Sequence, residues 1–171
     1  DVHELKDAYN RTGKNVTWNW SDPTKLSPAY WNNPYWSRYE NFETDSRSRY
    51  FGNVALSYKV NSWIDVLART SLDSYDEIQE ERIAVTSLGV SRYSQFNRRF
   101  SEQNYDLMAN INKDINPELN FKATIGTNTR ITKQQSIFAE TNGGLLIPKV
   151  YALLNSKNPI EAPTERITKE R

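Results

Sequence analysis

Residues 49–60 read RYFGNVALSYKV, and this stretch decides the fold class. Its odd-numbered positions carry mostly small or polar side chains, such as Asn53 and Lys59, between apolar neighbours. Successive side chains of an extended strand point to opposite faces, so this alternation predicts a β-strand with one apolar face and one polar face. The apolar positions are Tyr50, Val54, Leu56, Tyr58 and Val60.

Three further stretches have the same two-sided pattern: residues 64–75, 104–115 and 119–131. An antiparallel hairpin is in register only when apolar residues lie opposite apolar residues across the turn. Turns at residues 61–63 and 116–118 satisfy this condition, so the sequence predicts two hairpins. The predicted cross-strand pairs include Val60 with Ile64, Ile115 with Leu119, and Asp106 with Asn128.

The connections between the predicted strands differ greatly in length. Residues 76–103 and 132–163 predict long loops, and the carboxylates of residues 73–81 are interpreted as solvated loop residues. Residues 1–46 collect Trp and Tyr side chains among prolines and predict a long, aromatic-rich extracellular loop region. Short turns at one end of the strands and long loops at the other are typical of outer-membrane barrels. Residues 164–171 are expected to begin a further strand.

Composition narrows the classes of function. The chain has 22 Lys and Arg against 21 Asp and Glu, so it lacks the positive field that attracts nucleic acid. It has no cysteine and one histidine, His3, so no nucleophile with a positioned base can be assembled. We therefore expect no enzyme, no cofactor and no metal site. Aromatic residues make up 12% of a chain with mean hydropathy -0.80, which argues against disorder.

Periodicity alone fits either a membrane barrel or a soluble β-sandwich. Strands of about 12 residues, at about 3.3 Å per residue, reach roughly 40 Å, which suits a tilted membrane crossing. We therefore predict an all-β fold, an antiparallel transmembrane β-barrel segment of about four to six strands with long extracellular loops. So few strands cannot close a barrel, and we expect further sequence of the same protein to complete it. The alternative is a soluble β-sandwich that binds carbohydrate, and a structural adhesin segment is a third possibility.

Two separated motifs resemble the SusC/RagA family of TonB-linked outer-membrane proteins. The first is NPYWSRYENFETD at residues 33–45, followed by RYFGNVALSY at 49–58. The second is TNGGLLIP at residues 141–148, followed by NSKN at 155–158. The resemblance implies a large barrel with an N-terminal plug in the outer membrane of a Gram-negative cell. It also implies coupling to TonB through the plug, a SusD-like surface lipoprotein as partner, and import of oligosaccharides (glycans) or peptides across the lipid bilayer.

The resemblance also gives a division of the chain. Residues 1–46 are expected to form the aromatic-rich extracellular loop region, and residues 47–171 a partial TonB-dependent receptor barrel with two hairpins, long loops and the start of a further strand. The sequence shows no plug, no TonB box and no C-terminal strand of the family. We therefore expect a fragment that does not transport by itself.

Four residues are candidate substrate contacts: Trp31, Tyr35, Trp36 and Asn142. Aromatic faces can stack on sugar rings or peptide side chains. Asn142 precedes two glycines, whose backbone freedom permits a close approach of a ligand. The alternative is that the aromatic residues pack the loop onto its neighbours or onto the lipoprotein, and that Asn142 only begins a tight turn.

Overall fold

A computed structural model describes residues 2–171, without the side chain of Ser21. In chain order the elements are α1 Val2–Thr12, β1 Trp20–Asp22, β2 Lys25–Pro28, α2 Pro34–Glu40, β3 Glu43–Lys59, β4 Ile64–Ile83, β5 Arg92–Asn116, β6 Leu119–Glu140, β7 Asn142–Leu145, the 3-10 helix Leu153–Asn155, β8 Ser156–Asn158 and β9 Thr164–Glu170. Most of the chain is antiparallel β-structure, which confirms the predicted all-β fold. Within residues 2–171, no helix combines the length and the apolar character needed to cross a lipid bilayer.

Five strands form one sheet in the order β3-β4-β5-β6-β9. Val60 N–H donates to the Ile64 carbonyl at 3.0 Å across the β3–β4 turn. Asn128 Nδ2 donates to the Asp106 carboxylate at 2.6 Å across β5 and β6. Both pairs were predicted from the condition that apolar residues lie opposite apolar residues across each turn. These contacts therefore confirm the two hairpin registers. The strand expected at residues 164–171 is also confirmed, as β9.

Strands β4, β5 and β6 extend well beyond their predicted bounds, and β3 begins at Glu43, before its predicted start at residue 49. The connection between β4 and β5 is residues 84–91, and the long loops predicted at 76–103 and 132–163 are corrected accordingly. The alternation rule missed these extensions because they carry polar side chains on both faces. There the strands pair through charged side chains as well as backbone, as when Arg92 binds Glu81 at 2.5 Å.

The described part of residues 1–46 contains regular elements where the sequence predicted an irregular loop. It holds α1, α2 and the antiparallel hairpin of β1 and β2. Helix α2 begins with a proline, and the Asn33 side chain before it accepts hydrogen bonds from the backbone N–H groups of Tyr35 and Trp36. Asparagine before proline is a recognised helix start. The local signal was therefore present in the sequence, although strand periodicity could not detect it.

The chain divides into two compact units. Unit 1 comprises the described residues up to Ser46, Ile78–Asn97 and Ile137–Glu165. Unit 2 comprises Arg47–Glu77, Arg98–Ser136 and Arg166–Arg171. The predicted boundary after residue 46 coincides with the end of the first segment of unit 1. The assignment of that segment to an extracellular region stays a prediction.

The interior of unit 1 mixes apolar and amide side chains. Its buried apolar residues are Trp36, Ala84, Tyr93, Ala139 and Leu145. Asn33 is fully buried, and its Nδ2 donates to the Leu5 and Val16 carbonyls at 2.8 Å each. Its own backbone N–H donates to Asn15 Oδ1 at 2.8 Å. A buried amide is tolerated only when its hydrogen-bonding groups are satisfied, so this network ties α1 and the next segment to the start of α2.

Candidate functional site

Ion pairs cross the strands on one face of unit 2. Arg49 binds Asp73 through two hydrogen bonds of 2.8 and 2.6 Å. Arg69 binds Asp106 at 2.7 Å, and Asp106 also accepts the hydrogen bond from Asn128. We call the face that carries these five residues the polar face of unit 2. Two-point pairing of arginine with a carboxylate fixes geometry as well as charge, so the charges here balance one another across the strands.

One carboxylate of unit 2 is buried. The Glu77 side chain is 2% exposed and lies 2.7 Å from Arg47 and 3.7 Å from Arg98. The Arg47 guanidinium also lies 4.9 Å from the centre of the Tyr75 ring, which stacks on Phe100 at 5.1 Å. A charge removed from water must be paired to be tolerated. The prediction that this carboxylate is a solvated loop residue is therefore wrong.

Amide and hydroxyl side chains continue the polar face along β5 and β6. Hydrogen bonds of 2.6 to 3.0 Å join Asn128 to Asn104, Thr124 to Asn110, and Asn120 to Asn112 and Asp114. These pairs are exposed, and amide groups have more donors and acceptors than one partner can use. The face is therefore suited to contact with water or with a hydroxyl-rich or peptide ligand.

The opposite face of unit 2 is apolar and exposed. Val54, Leu56 and Ile125 are exposed by 62%, 69% and 68%. We define the apolar face of unit 2 as these three residues with Tyr50, Tyr58, Tyr105, Leu107, Ile115, Leu119 and Phe121, all of which are exposed. Among the residues that the structure describes, every buried apolar side chain belongs to unit 1. A large exposed apolar surface marks contact with a membrane or a partner.

Unit 1 contains a cleft of about 460 Å³, which we call the acidic cleft. It is lined by Glu43, Thr44, Asp45, Gln79, Glu80, Glu81, Ser94, Phe96 and Phe138. Carboxylates accept hydrogen bonds from hydroxyl, amide and amino groups. The described residues include no cluster of three or more side chains placed to hold a metal ion. The carboxylates of this cleft can accept hydrogen bonds and attract positive charge.

A tyrosine and a glutamate beside this cleft hold fixed protonation states. The Tyr93 hydroxyl donates to Glu80 at 2.5 Å, and Arg82 donates to the same carboxylate at 2.8 Å. Burial, followed by the hydrogen bond to Glu80, raises the pKa of Tyr93 to about 12. The hydrogen bond from Tyr93 is the main cause that lowers the pKa of Glu80. Near neutral pH the pair is therefore a neutral donor and an ionised acceptor, which fixes β4 to β5.

The four predicted contact residues have different environments within unit 1. Trp31 is 59% exposed and makes an edge contact with Trp18, with ring centres 6.0 Å apart. Tyr35 is half-buried, and Trp36 is 3% exposed. Asn142 is exposed in β7, where its backbone N–H donates to Ser156 and its side chain to the Pro159 carbonyl. Their role in substrate contact stays a prediction for all four residues.

The residues that sequence reasoning missed are those paired over long distances. Glu77, Glu80 and Tyr93 all fell in a stretch interpreted as loop, and their partners lie up to 36 residues away in the chain. A density of opposite charges in residues 76–99 was the available signal. It was not decisive, because charge density is equally typical of a solvated loop.

Comparison with known proteins gives a likeness of fold. Neither the models of known protein families nor the curated proteins match the chain. A solved structure described as "Structure of the RagAB peptide transporter" superposes on 92% of this chain with a TM-score of 0.74 and 12% sequence identity. The match covers 18% of the length of that protein's chain. The fold of this chain is therefore similar to that of one part of a chain in a peptide transporter.

Proposed function

We propose that the chain forms part of the wall of a TonB-dependent, SusC-like outer-membrane importer. The strands of unit 2 cross the bilayer, with the apolar face toward lipid and the polar face toward a water-filled lumen. The observation that carries the proposal is the exposure of Val54, Leu56 and Ile125 on one face, opposite a face of paired charges and amides. Alternation of apolar outward and polar inward residues is the pattern of outer-membrane barrels.

Strand length supports this assignment. The parts of the four main strands in unit 2 are residues 47–59, 64–77, 98–116 and 119–136. Each is longer than the roughly 9 to 11 residues that a tilted strand needs to cross the hydrocarbon core. The sheet of an ordinary soluble domain uses strands of about five or six residues.

The edges of the sheet support a larger barrel. In the described part of the chain, β3 and β9 each have one hydrogen-bonded neighbour. An open strand edge inside lipid would leave N–H and C=O groups without partners, at several kcal/mol each. The proposal therefore requires further strands of the same protein beside β3 and β9.

The proposed cargo is a peptide or an oligosaccharide, and no catalytic step is proposed. The structural neighbour is described as a peptide transporter, which favours peptides. The motifs that resemble the SusC/RagA family support a SusD-like lipoprotein as partner and coupling to TonB through a plug. They also support a location in the outer membrane of a Gram-negative cell.

The alternative of a soluble carbohydrate-binding β-sandwich agrees less well with the structure. A sandwich buries the inner faces of two sheets against each other. The apolar face of unit 2 is exposed instead, and the buried side chain in unit 2 is the charged Glu77. None of the contacts or surfaces described above supports the third possibility, a structural adhesin segment.

Spin labelling of the intact parent protein in lipid vesicles tests the proposal. Single Cys replacements are labelled at Val54, Leu56 and Ile125 in a parent protein freed of other cysteines, of which this chain has none. We expect these labels to be accessible to oxygen dissolved in lipid and shielded from a water-soluble nickel complex. Matched labels at Asn53 and Asn110, which lie on the polar-face positions of β3 and β5, should show the reverse. Labels at the apolar positions that are packed in a protein core, or freely accessible to nickel, would overturn the proposal.

A further inference from the structure

A second cavity of unit 1, of about 610 Å³, is not used by the transport role above. Its apolar wall consists of Val16, Leu26, Trp36, Ala84, Val85 and Pro148. Trp36 and Ala84 in this wall are buried core residues of the unit. The cavity is therefore a concave apolar site with a rigid wall, as in most small-ligand sites.

Two polar side chains of the lining are already occupied by protein partners. Asn15 donates to Asn32 and to the Thr86 carbonyl, and its oxygen accepts from the Asn33 backbone. The Thr12 hydroxyl donates to the Ala8 carbonyl at 2.7 Å. A sugar needs many hydrogen-bonding partners when it is removed from water. The cavity is therefore better suited to an apolar group than to a carbohydrate.

Backbone strain is concentrated around this cavity. Thr86 has φ 77° and Lys149 has φ 63°, and among the described residues these two are the ones other than glycine with positive φ. Both line the cavity. A positive φ is a marked outlier for a β-branched residue, and such conformations cost about 1 to 3 kcal/mol and are concentrated at functional sites. Such conformations persist only when the surrounding structure holds them, so the shape of this part of the cavity is fixed by its neighbours.

The charges at the cavity indicate the ionic character of the ligand. Lys149 Nζ lies 3.2 Å from the Glu40 carboxylate, and this pair is close to neutral. Lys14 also lines the cavity and adds a positive charge. An apolar wall beside a positive charge is complementary to an apolar group that carries a carboxylate.

We propose that this cavity binds the C-terminal residue of a peptide, with an aromatic or branched side chain against Trp36 and Leu26 and with its carboxylate near Lys14. The choice of a peptide rests on the proposed cargo, whereas binding of an apolar carboxylate at this site can be measured without transport. It also extends the predicted role of Trp36 from a stacking surface to one wall of an open cavity.

Calorimetry on the full parent protein in detergent micelles tests the inference, with blank micelles as reference. The probes are N-acetyl-L-phenylalanine, its C-terminal amide and N-acetylglucosamine. We expect the acid to bind about threefold to fivefold more tightly than the amide, because one partly exposed ion pair adds about this much affinity. The sugar should bind more weakly than either. Equal binding of acid and amide, tighter binding of the sugar, or no binding of the acid would overturn the inference.

Two variants locate the binding site. Leu26→Trp adds a large side chain to the cavity lining and should abolish binding of the acid. Leu88→Trp is the matched control, because Leu88 is exposed to a similar degree, 44% against 46% for Leu26, and does not line the cavity. Binding that persists in Leu26→Trp, or is lost equally in both variants, would contradict the assignment. Lys14→Gln should lower the affinity for the acid to that for the amide, whereas Lys6→Gln, on the exposed surface of α1, should leave both unchanged.

Discussion

Individual buried polar residues determine how each unit is held together. In unit 1, Asn33 satisfies two backbone carbonyls and caps α2. In unit 2, the buried carboxylate is Glu77, which lies between Arg47 and Arg98. A buried polar group stabilises a fold only through its partners, so removing a partner costs more than the bond itself contributes.

Replacing Glu77 should therefore destabilise the protein far more than replacing its neighbour. Glu77→Gln leaves two arginines around a neutral amide at a site that is 2% exposed, and we expect a loss of about 3 to 5 kcal/mol. Asp76 pairs with Arg99, and both side chains are more than half exposed, so Asp76→Asn should cost about 0 to 1 kcal/mol. Urea unfolding of the folded parent protein in detergent measures both changes. Equal losses in the two variants would show that the Glu77 cluster is not a stabilising contact.

At the scale of the strand, the close approach of β5 and β6 depends on a missing side chain. A Cβ at Gly126 would lie 2.9 Å from Met108 Cγ and 3.2 Å from the Leu107 carbonyl oxygen. Gly52 in β3 offers a contrast, since a Cβ there would meet nothing within 4 Å. The sheet therefore has room for a side chain at Gly52 but not at Gly126.

The corresponding prediction compares two alanine substitutions. Gly126→Ala should destabilise the β5–β6 pairing by about 1 to 3 kcal/mol, because Met108 and the neighbouring backbone must move. Gly52→Ala should be neutral or slightly stabilising, because alanine loses less backbone freedom than glycine on folding. Hydrogen exchange of the β5 and β6 amides reports the first effect directly. Unchanged protection in Gly126→Ala would contradict the close contact.

At the scale of the whole molecule, the two units differ in what they bury. Among the described residues, unit 1 buries apolar and amide side chains, although it also exposes apolar ones such as Trp31 and Leu154; unit 2 buries no apolar side chain and pairs its charges. Water favours burial of apolar surface, so the proposed crossing of the bilayer would cover the apolar face of unit 2.

We therefore expect the chain produced by itself to aggregate in plain buffer and to remain dispersed only in detergent. Light scattering and size-exclusion chromatography with and without detergent measure this dependence. Replacing Leu56 and Ile125 with serine should reduce aggregation, whereas replacing the exposed Leu88 of unit 1 with serine should have little effect. A monodisperse monomer of the unaltered chain in plain buffer, with cooperative unfolding, would instead support the soluble β-sandwich.

The sequence by itself determined the two-faced strands and the registers of both hairpins. These features follow from the alternation of polar and apolar residues and from the pairing of apolar residues across each turn. Both depend on residues close together in the chain, such as Val60 and Ile64. The cap of α2 is equally local, since Asn33 precedes a proline, but residues 1–46 were predicted as a loop and this signal was missed.

The tertiary structure alone decided the extensions of β4, β5 and β6, the burial of Glu77, and the cavity beside Trp36. In each case polar or aromatic side chains contact partners that are distant in the chain, and no local pattern specifies which partner is chosen. A charged stretch is a solvated loop when its partners are water molecules, and a strand when they are the arginines of neighbouring strands. That choice depends on long-range packing, and only the folded chain shows it.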